Sequence, residues 1–335
     1  MKDKVVAIVG ATGAVGREFA LCIESRGMPV KSLRLLASAR SAGKTQKFRG
    51  QDIVIEELTA DSFEGVDIAL FSAGSGISKQ YAPIAAKAGA VVVDNSSAFR
   101  TDPAIPLVVP EINAARIKDH KGIIANPNCA AITTVVPLWP VHQVNPVKRL
   151  IVSTYQAASG GGAALMEELE LSTRAYLDGK DYPPKVVKYP YAFNLFSHNT
   201  AIDMDTGYND EETKLIREAR KIFADDGMAV SATCIRVPVL RAHSVSMTFE
   251  CERPIEPSEV RALLEKAAGV RVVDDWANNY FPMPKDASGQ GDVLAGRIRK
   301  DLSSTDGKSI SMFVAADQLL KGAALNAVQI GRAHV

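Results

Sequence analysis

The chain has 335 residues, of which 47% are hydrophobic and 23% are charged, and its formal net charge is +1. This length allows two substantial cores, and the near-neutral charge gives no reason to expect nucleic acid or an acidic membrane surface as a partner. The sequence has no apolar run of about 18 residues, so we expect no membrane span, and its N-terminal apolar run is too short for a signal peptide. The four cysteines form no C-x-x-C pair, so we expect no disulfide framework, no metal site and a reducing, cytoplasmic setting.

The first third of the chain alternates short apolar runs with helical patterns. The runs typical of buried strands are residues 5–9, 32–36, 67–72, 90–94 and 123–125. Short apolar strands separated by helices are typical of a parallel sheet covered on both faces. The sequence therefore predicts an α/β protein with an N-terminal Rossmann-type, doubly wound parallel sheet.

A glycine-rich turn follows the first predicted strand. Its glycines occupy the first, fourth and seventh positions, which allow a tight turn, close approach to a pyrophosphate and close helix–strand packing. A turn without a ligand is the alternative, but the strand–loop–helix context favours a dinucleotide. The predicted cofactor-binding residues of this loop are Gly10, Thr12, Gly13, Ala14, Val15 and Gly16.

The end of the second predicted strand carries no acidic residue. An NAD-binding fold usually has an acid there for the ribose hydroxyls. Here Arg40 stands between Ser38 and Ser41, and a guanidinium offers fixed donors to a 2′-phosphate. We therefore predict NADP as the cofactor. The alternative is that Arg40 and Lys44 are solvated loop charges.

One cysteine stands where a predicted strand turns into a helix. Cys129 follows Asn126-Pro127-Asn128 and begins a helical pattern. The N-terminus of a helix favours a thiolate, so Cys129 is a candidate nucleophile. A small buried hydrophobe is the alternative. The other cysteines, Cys22, Cys234 and Cys251, are interpreted as packing residues.

The character of the chain changes near Leu150. Longer strand patterns cover residues 150–155, 232–239, 244–252 and 309–314, and a proline- and tyrosine-rich stretch covers 182–196. They predict a mixed, largely antiparallel α+β domain. Residues 315–330 have helical spacing and are expected to return to the first domain. The predicted division is residues 1–129 with the helix 315–335, and residues 130–314.

Two further segments carry polar groups at predicted strand ends. Gln156 could orient a carbonyl, and the following Ser159–Gly162 backbone could approach a nicotinamide or form only a flexible turn. His243 lies between two strand patterns and is a candidate acid–base group, unless it is a hydrogen-bonded structural histidine. The remaining histidines are expected at the surface: His120, His142, His198 and His334.

Seven segments together resemble the aspartate-semialdehyde dehydrogenase family. They are residues 10–16, 94–100, 126–129, 154–162, 211–214, 236–243 and 317–324, and they follow the family's order over essentially the whole chain. The most specific are the cysteine motif, the Glu-x-x-Lys step and the spacing from Arg236 to His243. The second glycine loop reads Ser-Gly-Gly-Gly where Ser-Gly-Ala-Gly is expected.

The resemblance implies NADPH-dependent reductive dephosphorylation of L-aspartyl-4-phosphate to L-aspartate 4-semialdehyde, in the biosynthesis of lysine, methionine, threonine and isoleucine. It implies that Cys129 forms an acyl thioester, that His243 is the acid–base group, and that Gln156 orients the thioester carbonyl. It also implies a homodimer formed through the second domain.

The resemblance further implies which residues bind the ligands. Arg100 and Lys214 would hold the phosphate, Arg236 the α-carboxylate and Glu211 the α-amino group. Asn128 is counted with these substrate-binding residues. Ser72, Ser159, Gly160 and Gln318 are added to the predicted cofactor-binding set.

Two other functions stay open at this point. An N-acetylglutamyl-phosphate reductase would use the same chemistry, but Asn128 stands where that relative should have glycine, and Glu211 would match an uncharged acetamide poorly. A non-catalytic NADP-binding sensor would not need the set of Cys129, Gln156 and His243.

Overall fold

A computed structural model describes residues 3–334 of the chain. Within this range the chain divides into two compact units: the first ends at Asn128 and resumes at Ala323, and the second is Cys129–Gly322. The strands of the first unit are β1 (Lys4–Val9), β2 (Val30–Ala37), β3 (Thr45–Phe48), β4 (Gln51–Glu57), β5 (Ile68–Phe71), β6 (Val91–Asp94) and β7 (Ile123–Ala125). Its first three helices are α1 (Ala14–Ser25), α2 (Ser75–Lys87) and α3 (Pro110–Asn113).

The first unit is built on one seven-stranded sheet in the order β3-β4-β2-β1-β5-β6-β7. The neighbours pair in parallel except β3 and β4, which form an antiparallel hairpin. The strand order reverses beside β1, and open α/β sheets bind ligands at the carboxyl ends of strands at such a point. The predicted doubly wound parallel sheet is confirmed.

The β3–β4 hairpin at the sheet edge was not predicted from the sequence. Its turn residues Arg49 and Gly50 both have positive φ, 48° and 76°, as a two-residue type I′ turn requires. Its strands are polar and largely exposed, so they lack the apolar run that marks the inner strands.

The second unit contains the remaining strands and five helices. The helices are α4 (Cys129–Val144), α5 (Ala163–Leu177), α6 (Asp210–Phe223), α7 (Pro257–Leu264) and α8 (Pro284–Ala287). The strands are β8 (Val147–Gln156), β9 (Phe196–Ser197), β10 (Ala229–Arg236), β11 (His243–Cys251), β12 (Val270–Val272), β13 (Val293–Lys300) and β14 (Ser309–Ala316).

These strands form a seven-stranded mixed sheet in the order β12-β13-β14-β11-β8-β10-β9. The pairs β8–β10 and β12–β13 are parallel, and the other four pairs are antiparallel. The predicted mixed, largely antiparallel sheet is therefore confirmed. Helix α4 is apolar all round and largely buried, as expected of a helix enclosed by other elements.

The C-terminal helix lies in the first unit, as predicted, but it starts later than its sequence pattern indicates. Ala315 and Ala316 extend β14, a π-helical turn covers Leu320–Ala324, and the α-helix α9 is Leu325–His334. Ala315 and Ala316 pair with the start of β11, and these strand hydrogen bonds override the helical spacing. The predicted helix start at 315 is therefore wrong, and the predicted last residue, 335, lies outside the described residues.

Candidate active site

The nucleophile candidate is the first residue of helix α4. Cys129 is partly exposed, and its Sγ lies 3.6 Å from Nε2 of His243, within hydrogen-bonding distance for sulfur. A thiol at a helix N-terminus beside an imidazole is the arrangement used for covalent catalysis. By contrast, Cys22, Cys234 and Cys251 are buried, which confirms their interpretation as packing residues. Burial raises the pKa of Cys234 and of Cys251 to about 12.

His243 is the first residue of β11 and is fully buried. Its Nδ1 accepts a hydrogen bond from the backbone N–H of Ala157 over 3.0 Å, which leaves Nε2 facing the sulfur. Burial is the main cause that lowers the pKa of His243 to about 3; the charge of Arg236 also lowers it, and Glu211 acts in the opposite direction. Burial therefore favours the neutral form of this imidazole.

Gln156 and Arg236 meet because their strands are parallel and in register. Gln156 ends β8 and pairs with Arg236, which ends β10. The amide of Gln156 is fixed at both ends: Oε1 accepts from Oγ1 of Thr154 over 3.0 Å, and Nε2 donates to Oε1 of Glu211 over 3.1 Å. A buried amide held in this way presents one orientation to a ligand.

Glu211 and Lys214 share one face of α6, and their charged atoms are 4.0 Å apart. Glu211 is buried, whereas the side chain of Lys214 is 32% exposed. A capping box fixes the start of this helix, with Asn209 and Glu212 bonding each other's backbone N–H groups. The cap therefore sets the position of Glu211 relative to Gln156.

Arg236 is buried beside these groups. Its Nη1 donates to the carbonyl of Ala157 over 3.0 Å, and its Nε donates to Oδ1 of Asn199 over 3.4 Å. The fork of a guanidinium suits a carboxylate. The second unit thus brings together Cys129, Gln156, Glu211, Arg236 and His243.

The second glycine loop packs against the same groups. A Cβ at Gly160 would lie 2.9 Å from Nη1 of Arg236 and 2.9 Å from Nε2 of His243, so only glycine fits there without displacement. Ser159 accepts a hydrogen bond from the amide of Gln318, and the other end of that amide accepts from the N–H of Ala242 over 3.0 Å. Cofactor contacts of Ser159, Gly160 and Gln318 stay predictions.

Sequence reasoning placed His198 at the surface, and this prediction is wrong. His198 is buried because β9 pairs with β10, and its backbone N–H bonds the carbonyl of Cys234. Its Nδ1 lies 3.3 Å from Oγ1 of Thr200, which accepts from the N–H of Glu211. Burial is the main cause that lowers the pKa of His198 to about 4. Arg236 and Lys214 act in the same direction, and Glu211 opposes them.

Of the other histidines expected at the surface, His334 is exposed, whereas His120 and His142 are half-buried. His142 packs against Trp139 and Phe223, with ring centroids 5.8 Å and 4.6 Å away.

In the first unit, the predicted cofactor loop joins β1 to α1. Gly10 has φ of 87°, and a Cβ there would lie 2.3 Å from the carbonyl oxygen of Ser72; a Cβ at Gly16 would lie 2.2 Å from that of Gly10. The loop therefore lies against the ends of β1 and β5. Gly13 caps α1, and Ala14 and Val15 form its first turn.

A cavity of about 370 Å³ lies at the carboxyl ends of β1, β2, β4 and β5. It is lined by Gly10, Thr12, Ala37, Ser38, Ala39, Glu57, Leu58, Ala73, Ile77 and Tyr81. Arg40 and Ser41 belong to the short turn Ala39–Ser41 that follows β2, and Arg40 is exposed. Sequence reasoning missed Glu57, which pairs with Ala37 through β4 and so brings an acid to the end of β2.

Arg100 and Asn128 also belong to the first unit and are buried. The guanidinium of Arg100 donates to the carbonyls of Asn126, at 2.9 Å, and Asn95, at 2.8 Å. These bonds fix the plane of the guanidinium. The roles of Arg100 and Asn128 in substrate binding stay predictions.

Within residues 3–334, no group of three or more His, Cys, Asp or Glu side chains is arranged to hold a metal ion. In the same range, none of the helices combines the length and the apolar character needed to cross a membrane.

Two family models match the chain and define its class. Residues 5–120 match the family model of the semialdehyde dehydrogenase NAD binding domain, and residues 138–321 match that of the semialdehyde dehydrogenase dimerisation domain. Together these models cover most of the chain, and they define a dehydrogenase with a nucleotide-binding and a dimerisation domain.

Relatives that match nearly the whole chain indicate the particular family within this class. The chain is 51% identical over 325 residues to the aspartate-semialdehyde dehydrogenase of Synechocystis sp., covering 97% of this chain and 95% of the relative. It is 50% identical over 330 residues to that of Aquifex aeolicus, covering 97% and 96%. A crystal structure of aspartate semialdehyde dehydrogenase II from Vibrio cholerae complexed with ASA matches with a TM-score of 0.96 and 41% identity, over 99% of this chain and 98% of that one. The chain belongs to the aspartate-semialdehyde dehydrogenase family.

Proposed function

We propose that this protein is an NADPH-dependent aspartate-semialdehyde dehydrogenase. It converts L-aspartyl-4-phosphate to L-aspartate 4-semialdehyde, reversibly, through a thioester on Cys129. This step serves the biosynthesis of lysine, methionine, threonine and isoleucine. The family assignment supports the activity, and the roles of individual residues are our own assignments.

The observation that carries the proposal is the pairing of Cys129 with His243. The 3.6 Å separation between Sγ and Nε2 puts an imidazole at the atom that would form the thioester. A carboxylate resists hydride reduction, so activation as an acyl phosphate and then as a thioester divides one difficult step into two easier ones. The neighbouring amide of Gln156 is held by Thr154 and Glu211 and suits a carbonyl group.

The charges in the second unit match the amino-acid end of the substrate. Arg236 is assigned to the α-carboxylate and Glu211 to the α-amino group. Both are buried: Arg236 pairs with Gln156 at the ends of their strands, and Glu211 accepts a hydrogen bond from the same Gln156. A charged ligand group would gain most from an opposite charge in such a place. Lys214, 4.0 Å from Glu211, is assigned with Arg100 to phosphate.

The first unit fits a dinucleotide. Its glycine loop leaves no room for a Cβ at Gly10 or Gly16, and the adjoining cavity has the size of a small-molecule site. Arg40, with Ser38 and Ser41, is assigned to a 2′-phosphate, which favours NADP. Bound NADPH supplies the hydride that reduces the thioester.

We also propose a homodimer and a cytoplasmic location. The match to the family's dimerisation domain over residues 138–321 supports the homodimer. The nucleophile must stay a free thiol, which a reducing compartment maintains.

Phosphate-dependent reduction of NADP with aspartate semialdehyde tests the activity. Turnover is expected with this aldehyde and not with the N-acetylated glutamate analogue, because Glu211 matches a free ammonium group. Cys129→Ala should abolish turnover and leave NADPH binding intact, since the nucleotide loop belongs to the first unit. Retention of more than a few per cent of turnover in this variant would contradict the role of Cys129.

A further inference from the structure

Three asparagine side chains of the first unit form a hydrogen-bonded network, which we call the asparagine network. Asn126 and Asn326 are fully buried, and Asn95 is half-buried. Nδ2 of Asn326 donates to Oδ1 of Asn126 over 2.7 Å, and Nδ2 of Asn126 donates to Oδ1 of Asn95 over 2.7 Å. The network therefore connects helix α9, which contains Asn326, with the residues that directly follow β7 and β6.

The amides of the network have one favoured orientation. Nδ2 of Asn326 also donates to the carbonyl of Val108 over 3.0 Å, and Nδ2 of Asn126 also donates to the carbonyl of Ala323 over 3.4 Å. A carbonyl oxygen can only accept, so a reversed amide would place oxygen against oxygen. Because a buried polar atom that faces the wrong partner is costly, each amide fixes the orientation of the next one in the network.

The network meets the guanidinium of Arg100 through the backbone of two of its members. Nε of Arg100 donates to the carbonyl of Asn126 over 2.9 Å, and Nη2 donates to the carbonyl of Asn95 over 2.8 Å. The two residues that hold the guanidinium by their backbone are thus held to each other by their side chains. A guanidinium binds phosphate oxygens in a fixed planar geometry, so the placement of these two carbonyls decides how Arg100 meets an anion.

Packing of helix α9 does not by itself require an asparagine at position 326. A buried amide costs free energy unless its groups are hydrogen-bonded, and an apolar side chain would pack the helix without that cost. Gln329, nearly one turn further along α9, attaches the same helix in another direction, because its Nε2 donates to Oε1 of Glu111 on α3 over 3.0 Å. The distinguishing property of Asn326 is its bond to Asn126, a residue that holds Arg100.

We propose that Asn326 is a positioning residue for the phosphate site. Through Asn126 and Asn95 it fixes the guanidinium of Arg100 in the orientation that binds phosphate. This inference rests on the proposed function, which assigns Arg100 to the phosphate. Asn326 then contributes to phosphate affinity through Arg100, and we expect NADP and aspartate semialdehyde to bind without its help.

The KM for inorganic phosphate tests this role. The rate of NADP reduction with aspartate semialdehyde would be measured at varied phosphate concentration for wild type and for Asn326→Leu, since leucine has similar bulk and no amide. The KM for phosphate should rise about 10-fold, the effect expected when a hydrogen bond to a charged group is weakened. The KM values for NADP and for aspartate semialdehyde should stay within about twofold of wild type. An unchanged KM for phosphate would overturn the proposal, even with a lower kcat, because that combination reports only a smaller folded fraction.

Two further variants separate the network from a general effect on helix α9. Asn95→Ala removes the acceptor at the half-buried end of the network and should also raise the KM for phosphate. It keeps the proposal testable if Asn326→Leu does not fold. Gln329→Leu is the matched control, since it removes an amide bond of the same helix and should keep the wild-type KM for phosphate. The same increase in Gln329→Leu as in Asn326→Leu would contradict the role of the network.

A binding measurement distinguishes failure of this inference from failure of the proposed function. Inorganic phosphate should raise the melting temperature of wild type and of Gln329→Leu, and should raise it less in the two asparagine variants, because a ligand stabilises the state that binds it. This measurement needs no turnover. Absence of phosphate-dependent turnover in wild type would reject the proposed function, whereas wild-type phosphate affinity in both asparagine variants would reject only this inference.

Discussion

The side-chain amide of Gln156 donates to Oε1 of Glu211 over 3.1 Å, so the group assigned to the reacting carbonyl is bonded to the group assigned to the substrate's ammonium. Under these assignments, the hydrogen bond connects substrate recognition with the chemical step. Filling of the amino-group site by the correct substrate should therefore affect the orientation of Gln156.

The first prediction concerns Glu211→Gln and Arg236→Leu. Each should reduce kcat/KM for aspartate semialdehyde by about 10-fold to 100-fold, because a charged hydrogen bond contributes about 1.5–3 kcal/mol. A small aldehyde without amino and carboxylate groups should react poorly with wild type and lose little more in the variants. Equal fractional losses on both aldehydes would mean that these residues support the fold or the chemical step and do not recognise the amino-acid end.

The second prediction concerns cofactor choice. Arg40→Ala should weaken binding of NADPH by about 10-fold to 100-fold and leave NADH nearly unchanged, since only NADPH has a 2′-phosphate to lose a charge-assisted contact. Fluorescence titration of both cofactors measures this. Glu57→Gln is a matched variant with the opposite expected effect on affinity. Removing the acid that lines the cavity should strengthen NADPH binding. Equal effects of Arg40→Ala on the two cofactors would reject its assignment.

The third prediction concerns Gly160, the glycine beside His243. Gly160→Ala should lower kcat/KM by about 100-fold, because the new Cβ must displace His243 or Arg236, and a displacement of about 1 Å at a reacting group has effects of that size. Gly76→Ala in α2 is the control, since its Cβ would meet no atom within 4 Å. The control should keep full activity and equal or greater stability. Wild-type kinetics in Gly160→Ala would show that the loop can move away without affecting the site.

The fourth prediction concerns stability in mild acid. His243 and His198 have folded-state pKa values of about 3 and about 4, below the value of about 6.5 for an unfolded histidine. Their contribution to the stability of the folded chain is therefore fully present above pH 6.5 and is lost as the pH falls from 6.5 towards 4. In this range the unfolded chain takes up protons that the folded chain does not. Each histidine should contribute a slope of about 1.4 kcal/mol per pH unit to the free energy of unfolding.

Urea denaturation of wild type and His198→Gln between pH 5 and 7 measures this slope. The free energy of unfolding of the variant should depend less steeply on pH, with a slope lower by the contribution of one histidine. The same slope in both proteins would mean that His198 is protonated in the folded state.

The elements that could be predicted from the sequence are those determined by the pattern of neighbouring residues. The glycine loop with its flanking strand and helix, and Cys129 at a strand-to-helix turn, depend on residues within a short stretch. They could therefore be predicted without knowing the fold. The resemblance to a family added Glu211 and Lys214, which by themselves are indistinguishable from an ordinary surface pair.

The features that sequence reasoning missed depend on pairing between distant residues. His198 is buried only because a two-residue strand pairs with β10, and Glu57 reaches the predicted cofactor cavity only because β4 lies beside β2. The π-helical turn at Leu320–Ala324 delays the C-terminal helix. No periodicity in the sequence marks any of these contacts.

The most direct test of the central claim is the initial rate of NADP reduction by the purified protein with aspartate semialdehyde and inorganic phosphate. The proposed function predicts turnover that requires phosphate, is lost in Cys129→Ala, and greatly exceeds the rate with N-acetylglutamate semialdehyde. A faster reaction with the acetylated aldehyde, or no phosphate-dependent turnover with either aldehyde, would contradict it.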